Sequence, residues 1–255
     1  MQRYIFTCDD CGLSEGINRA ALDLYEQGIP VQASVMANFP AAPHAVELFN
    51  KHAIPTGVHL NLTDGFPLTG THPSGGYLRA DGQFRSRKSL FMRGFRANRA
   101  FREWVQAELL AQVETLVGMG LTPDHLTTHM HFHILPALRA AVYHLAGRFS
   151  VTRVRAHRLQ STVLPFNPFL QWKSHTNSAP SGVFVPDYIV LLRYWQSYPP
   201  EKLVSLLNRL DGVIEIVVHP GTPEDDTFPA GLSYGPQPRF AEWQYFQLLV
   251  ALLDL

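Results

Sequence analysis

Residues 6–18 read FTCDDCGLSEGIN, two adjacent aspartates set between two cysteines. Taken as C-x-x-C (Cys8, Cys11) the stretch is a redox or metal motif. Taken as D-D (Asp9, Asp10) it is the end of a buried strand that delivers carboxylates to a site. Its surroundings favour the carboxylates. RYIFTC (3–8) is rich in β-branched and aromatic residues and lacks polar alternation, the pattern of a strand buried on both faces. Ser14 then stands as an N-cap before SEGINRAALDLYEQG, a helical run that Gly28 stops. Strand, turn and helix in that order predict a β/α unit with the acids at the carboxyl end of its strand. The thiols are at best half of a zinc site. Cys8 also falls inside the strand, whereas a redox thiol belongs at a helix N-terminus.

The alternation continues outward. VQASVM (31–36), TGVHLNL (56–62), DHLTTHMHFH (124–133), VTRVRA (151–156) and GVIEIVVHPG (212–221) read as further strands. Between and after them PHAVELFNKH (43–52), FREWVQAELLAQVETLVGMG (101–120), PALRAAVYHLAGRF (136–149), PEKLVSLLNRL and RFAEWQYFQLLVALLDL read as helices. Six strands so connected predict an α/β fold with a parallel sheet, open or closed into a barrel. If closed, it is a (β/α) barrel of parallel strands, distorted or with fewer than eight regular repeats. The expected organisation is one domain over 1–255 with inserted loops at about 63–100 and 157–185, and loops so long in a compact domain are more often functional than idle.

With 255 residues and 46% hydrophobic composition the chain can bury a large core. Lys plus Arg equals Asp plus Glu at 21 each, so no global charge steers it to nucleic acid or an acidic membrane. Two cysteines suggest a reducing compartment. MQRYIFTCDD is no signal peptide, and no stretch approaches the ~18 apolar residues of a membrane span. The expectation is a soluble cytoplasmic protein with no nucleic-acid partner and no transmembrane segment.

In parallel α/β folds ligands sit at the carboxyl ends of the strands. The unusual polar residues fall there: Asp9 and Asp10, His59, the run His129, His131, His133, and His219. On a strand the three imidazoles of HMHFH would share one face, one binding metal while the others orient or shape the site. Arg153 and Arg155 share a face too, to pin a carboxylate or a substrate oxygen or to form a structural ion pair. One carboxylate with two imidazoles can hold a divalent ion with open positions. The second aspartate is then free to act as general base. His44, His52, His72, His144, His157 and His175 have no such placement and are assigned to surface or packing.

Four segments together resemble a known family, the YdjC-like carbohydrate deacetylases. CDDCGLSEGIN resembles their ADDFG-x-x-x-x-x-N opening, and GVHLNLTDGFPL their G-x-H-x-x-L-x-x-G-x-P-L segment. HLTTHMHFHILP resembles H-x-D-x-H-x-H-x-H-x-x-P, and IEIVVHPG, with Glu215 and His219, resembles E-x-x-x-HPG. The resemblance implies a (β/α) barrel that removes N-acetyl groups from amino sugars with one divalent ion, Mg²⁺ or Zn²⁺. Carried over by position, it implies Asp10, His59 and His129 as metal ligands, Asp9 as general base and His219 as proton donor to the leaving amine. It leaves open a homodimer, and a chitooligosaccharide, a hopanoid-linked glucosamine or another glycan as substrate. Phe66, Tyr77, Phe84 and Trp172 are then candidates for a sugar platform, or simply loop packing. The chain departs from the pattern at Cys11, in place of Phe, and at Thr127, in place of an acid, which bears on metal affinity and on whether His129 or His133 is the ligand. The rival readings are an amidohydrolase-type barrel metallohydrolase and a non-catalytic metal- or sugar-binding relative.

Overall fold

The computed structural model describes residues 3–70, 77–155, 162–163, 179–232 and 234–253. Trp172, His72, His157 and His175 lie outside them. The first half runs β1 (Tyr4–Cys11), α1 (Glu15–Glu26), β2 (Val31–Val35), α2 (Ala42–Lys51), β3 (Thr56–Leu60), α3 (Arg87–Phe95), α4 (Arg99–Gly118) and β4 (His125–Thr128). The second half adds α5 (Pro136–Arg148), β5 (Arg153–Val154), β6 (Thr162–Val163), β7 (Tyr188–Leu191), α6 (Pro200–Leu207), β8 (Ile214–Val218) and α7 (Pro236–Leu252). Ser14 caps α1 by accepting from the Ile17 N–H at 3.2 Å, and Gly28 ends the helix with φ +83°.

The strands form one parallel sheet in the order β5-β4-β3-β2-β1-β8-β7-β6. That sheet is curled. Arg155, just past β5, sends its guanidinium to Asp9 of β1 at 2.6 Å and to Glu215 of β8 at 3.0 Å. In sheet order β5 and β8 are five steps apart. Flat, they would be separated by about 24 Å at ~4.8 Å per step, far beyond an arginine's reach. The segment entering β7 also pairs back onto β5, with Phe184 N–H donating to Thr152 at 2.7 Å and Val154 N–H donating to Phe184 at 3.0 Å. The result is a (β/α) barrel with irregular repeats. β1, β3 and β8 are buried on both faces because helices cover one side while the curl buries the other.

Two strands and a helix differ from the sequence reading. YIVL of β7 is a continuous apolar run of four, too short for periodicity to classify. β6 lies inside the expected 157–185 loop, and α3 inside the expected 63–100 loop. The sequence of α3, RKSLFMRGF, has no apolar stripe, yet Ser86 caps it and Leu90 and Gly94 bury one side. No described helix is long and apolar enough to cross a membrane.

Close strand packing makes a pair of glycines diagnostic. A Cβ on Gly57 of β3 would lie 2.3 Å from the His125 carbonyl oxygen, whereas one on Gly118 of α4 would meet nothing within 4 Å. Gly57→Ala is expected to destabilise the protein by about 3 kcal/mol. Gly118→Ala should stabilise it by about 0.5–1 kcal/mol. Denaturant melts of the two variants check both.

Candidate active site

The acid pair is placed by a β-bulge. β1 pairs with β2 through Cys8↔Ala33 and then Cys11↔Val35, so Asp9 and Asp10 stand against Ser34 alone. Asp10 takes φ +63°, a left-handed conformation that aspartate tolerates better than most residues. In a regular strand neighbouring side chains point to opposite faces. Here both carboxylates reach one imidazole: His59 Nδ1 is 3.7 Å from Asp9 Oδ1, and its Nε2 is 3.2 Å from Asp10 Oδ1. Both aspartates are buried.

Asp9 is clamped. Its two oxygens accept from Arg155 at 2.6 and 2.8 Å, and the same guanidinium donates to Glu215, which also accepts from Thr7 Oγ1 at 2.8 Å. Burial alone would raise the Asp9 pKa; the Arg155 charge overrides it and holds Asp9 well below the usual carboxylate range. Of the two arginines proposed from sequence, Arg155 therefore belongs to the site. Arg153 does not: it bonds Gln32 and lies 4.0 Å from Asp124.

Asp10 Oδ1 faces His129 Nδ1 at 2.9 Å, and its Oδ2 accepts from Arg239 at 2.6 Å. The chain does not continue as a strand into HMHFH. β4 ends at Thr128, and residues 129–134 form a 3-10 turn broken by Met130 and His131, both at φ +54°. The three imidazoles thus do not share a face. His129 points to Asp10 and, through Nε2, to Asp64 at 2.8 Å. His133 folds back to bond Thr128, and His131 is half-buried with an unpartnered Nδ1. Of the histidines, His59 and His129, rather than His133, meet Asp10: their ligand atoms and a carboxylate oxygen of Asp10 all lie within 4.8 Å of one another.

The donor set suits a divalent ion, one carboxylate oxygen and two imidazole nitrogens. The electrostatics agree. Burial disfavours a charged His129, but Asp10 and Asp64 push its pKa up to about 9, so positive charge is demanded at this spot. Thr127, where the resemblance expects an acid, bonds His59 Nδ1 at 2.7 Å, with its hydroxyl also tied to Ser34. It fixes that ring's orientation with Nε2 toward Asp10.

His219 follows β8. Its backbone N–H and Nδ1 both face Glu242 Oε1, at 2.9 and 3.0 Å. A carboxylate oxygen only accepts, so Nδ1 carries the proton and Nε2 is left for other work. Tyr234 bonds the second Glu242 oxygen. Glu242 and Arg239 lie three residues apart on α7, and both are buried. Sequence reading missed them, along with Asp64. The available signal was an Arg and a Glu at helical spacing, the only charged residues of α7.

The sugar-platform candidates divide. Phe84 is buried beside Trp104, and Tyr77 stacks on Trp104 at 5.5 Å, so both are packing residues. Phe66 is 54% exposed. Its loop is pinned by buried polar groups: Glu108 accepts from Leu68 and Thr69 N–H, and Gln112 brackets the Asn61 backbone at 2.7 and 2.8 Å. Both cysteines are free and buried, and burial raises both thiol pKa values. Neither is poised for redox chemistry.

Comparison with known proteins shows the family. A carbohydrate deacetylase of Geobacillus stearothermophilus is 32% identical over 246 residues, covering 93% of this chain and 86% of that one. A carbohydrate deacetylase of Halalkalibacterium halodurans is 28% identical over 223 residues, covering 86% and 84%. A crystal structure of an Enterococcus faecalis protein, named for a proposed cellobiose-phosphate cleavage, superposes with TM-score 0.77 at 20% identity over 98% of this chain and 93% of that one. The family model described as YdjC-like protein matches residues 3–247, and the chain belongs to that family.

Proposed function

We propose that this protein is a carbohydrate N-deacetylase that uses one divalent ion, Mg²⁺ or Zn²⁺, to hydrolyse the acetamido group of an amino sugar or its oligosaccharide. The observation that carries the reading is the meeting of Asp10, His59 and His129 beside a clamped carboxylate and an oriented histidine. The names of the relatives agree with it. An ion held by Asp10, His59 and His129 would lower the pKa of a water and polarise the acetyl carbonyl.

The chain's own residues supply the proton transfers. Asp9, ionised throughout the neutral range, accepts a proton from the attacking water as its oxygen bonds the acetyl carbon. Arg155 holds that carboxylate in one orientation. His219 lies near enough to Asp9 to help hold that carboxylate ionised. Glu242 keeps the Nδ1 proton, so the imidazolium of His219 carries a second proton on Nε2, hands it to the departing nitrogen and returns to the neutral ring. The C–N bond breaks to give acetate and a free amine. The single domain and cytoplasmic location expected from sequence stay part of the proposal, and a homodimer stays open. Thr127, which stands where the resemblance expects an acid, bonds His59 and orients its ring, which supports a working site over a non-catalytic relative.

Asp9→Asn should retain bound metal by elemental analysis yet lose acetate release by roughly 10²–10⁴-fold. Asp10→Ala should lose both. Normal turnover by Asp9→Asn would overturn the role of Asp9, and release of ammonia instead of acetate from a substrate panel would favour an amidohydrolase.

The pKa shifts also set a pH optimum for stability in chelator. His129, raised from 6.5 to about 9, contributes stability that is fully present below about pH 6.5 and lost as pH rises through about 9. His59, His125 and His131 are shifted down, mainly by burial, so the unfolded chain binds more protons below pH 6.5 and stability falls on acidification. Urea midpoints of the metal-free protein should therefore peak near pH 6.5. His129→Gln should flatten the alkaline side.

A further inference from the structure

Residues 85–102, RSRKSLFMRGFRANRAFR, hold six arginines, one lysine and no acidic residue. That is seven of the chain's 21 cations in 18 positions, in a protein of zero net charge. The segment forms α3 and the start of α4. Leu90 is buried, and a Cβ on Gly94 would lie 2.4 Å from Leu135. α3 is thus seated on the residue that follows the 129–134 turn, with its opposite face fixed outward. That outer face carries Lys88, Met92, Phe95 and, one residue beyond the helix, Arg96. Met92 is 64% and Phe95 76% exposed. Neither Lys88 nor Arg96 has an ion pair among the described residues. Beside this face lies a groove of about 520 Å³ lined by Tyr77, Ser89, Met92, Arg93, Arg96 and Phe101, with no acid in its walls.

The two features select different partners when taken singly. A soluble polyanion satisfies the cations but leaves Met92 and Phe95 in water. A neutral apolar protein face covers Met92 and Phe95 but leaves the positive charge uncompensated. An anionic lipid surface satisfies both, because its headgroups are acidic and its acyl boundary takes up apolar side chains. We propose that the outer face of α3, Lys88, Met92, Phe95 and Arg96, docks this protein onto an anionic lipid bilayer. The reading is independent of the reaction assigned above.

Co-sedimentation of the full chain with vesicles tests it. The protein should pellet with phosphatidylglycerol–phosphatidylcholine vesicles, be released at roughly 0.5 M NaCl through charge screening, and stay in solution with phosphatidylcholine alone. Replacing Lys88 and Arg96 by Gln should weaken binding roughly 30-fold. Met92→Ser with Phe95→Ser should weaken it at unchanged charge. All four side chains are exposed, and unchanged thermal midpoints should confirm intact folding. Equal binding to both vesicle types, no binding to either, or undiminished binding by either double variant would overturn the proposal. So would retention on heparin or single-stranded DNA without vesicle binding, which would assign the cations to a soluble polyanion.

Discussion

The structure depends on neutralising buried negative charge. Asp9 and Asp10 near the carboxyl end of β1, Glu215 near the start of β8 and Glu242 on α7 are all buried. Removing one partner of such a buried pair typically costs about 3–5 kcal/mol. Each carboxylate meets a partner from a distant element. Arg155 beyond β5 lies between Asp9 and Glu215, Arg239 of α7 and His129 flank Asp10, and His219 and Tyr234 share Glu242. These contacts span the curled sheet and tie its first strand to its fifth and eighth. The charges assigned to chemistry are also the ones that fix the tertiary arrangement.

Much of this was legible in the chain itself. The apolar run ending in Asp9–Asp10, the Ser14 cap and the alternating strands and helices pointed to a parallel α/β sheet, and strand-end placement singled out His59 and the 129–133 cluster; the barrel and the choice of His129 within that cluster came from the family resemblance. The HMHFH reading failed for a definite reason. Alternation is a strand signal, but Met130 and His131 adopt left-handed backbone with no glycine or asparagine to announce it. Only the pull of Asp10 and Asp64 on His129, and the return of His133 to Thr128, explain the turn. Likewise the bulge that aims both aspartates at one ring is a property of pairing with β2, invisible in the local sequence. Arg239 lies 229 residues from its carboxylate, and no periodicity connects them.

Global averages concealed other features. Zero net charge masks the uninterrupted cationic stretch of α3 and its neighbours. The first residues of the loop after β3 are held by two polar residues of α4: Glu108 accepts from Leu68 and Thr69, and Gln112 bonds the Asn61 backbone and Glu108. With Asn38 and Asn61 also bonding the Asp64 carbonyl, the loop presents Asp64 to His129 as a fixed group.

The position of α7 in the chain has a consequence for biosynthesis. Arg239 and Glu242 follow every described strand, so a ribosome has made the whole sheet before either emerges. Until then Asp10 lacks its guanidinium and His219 lacks the carboxylate that orders its ring. A nascent barrel would hold repelling acids and an unaligned imidazole, and its competence would arrive in one step, with the docking of the final helix.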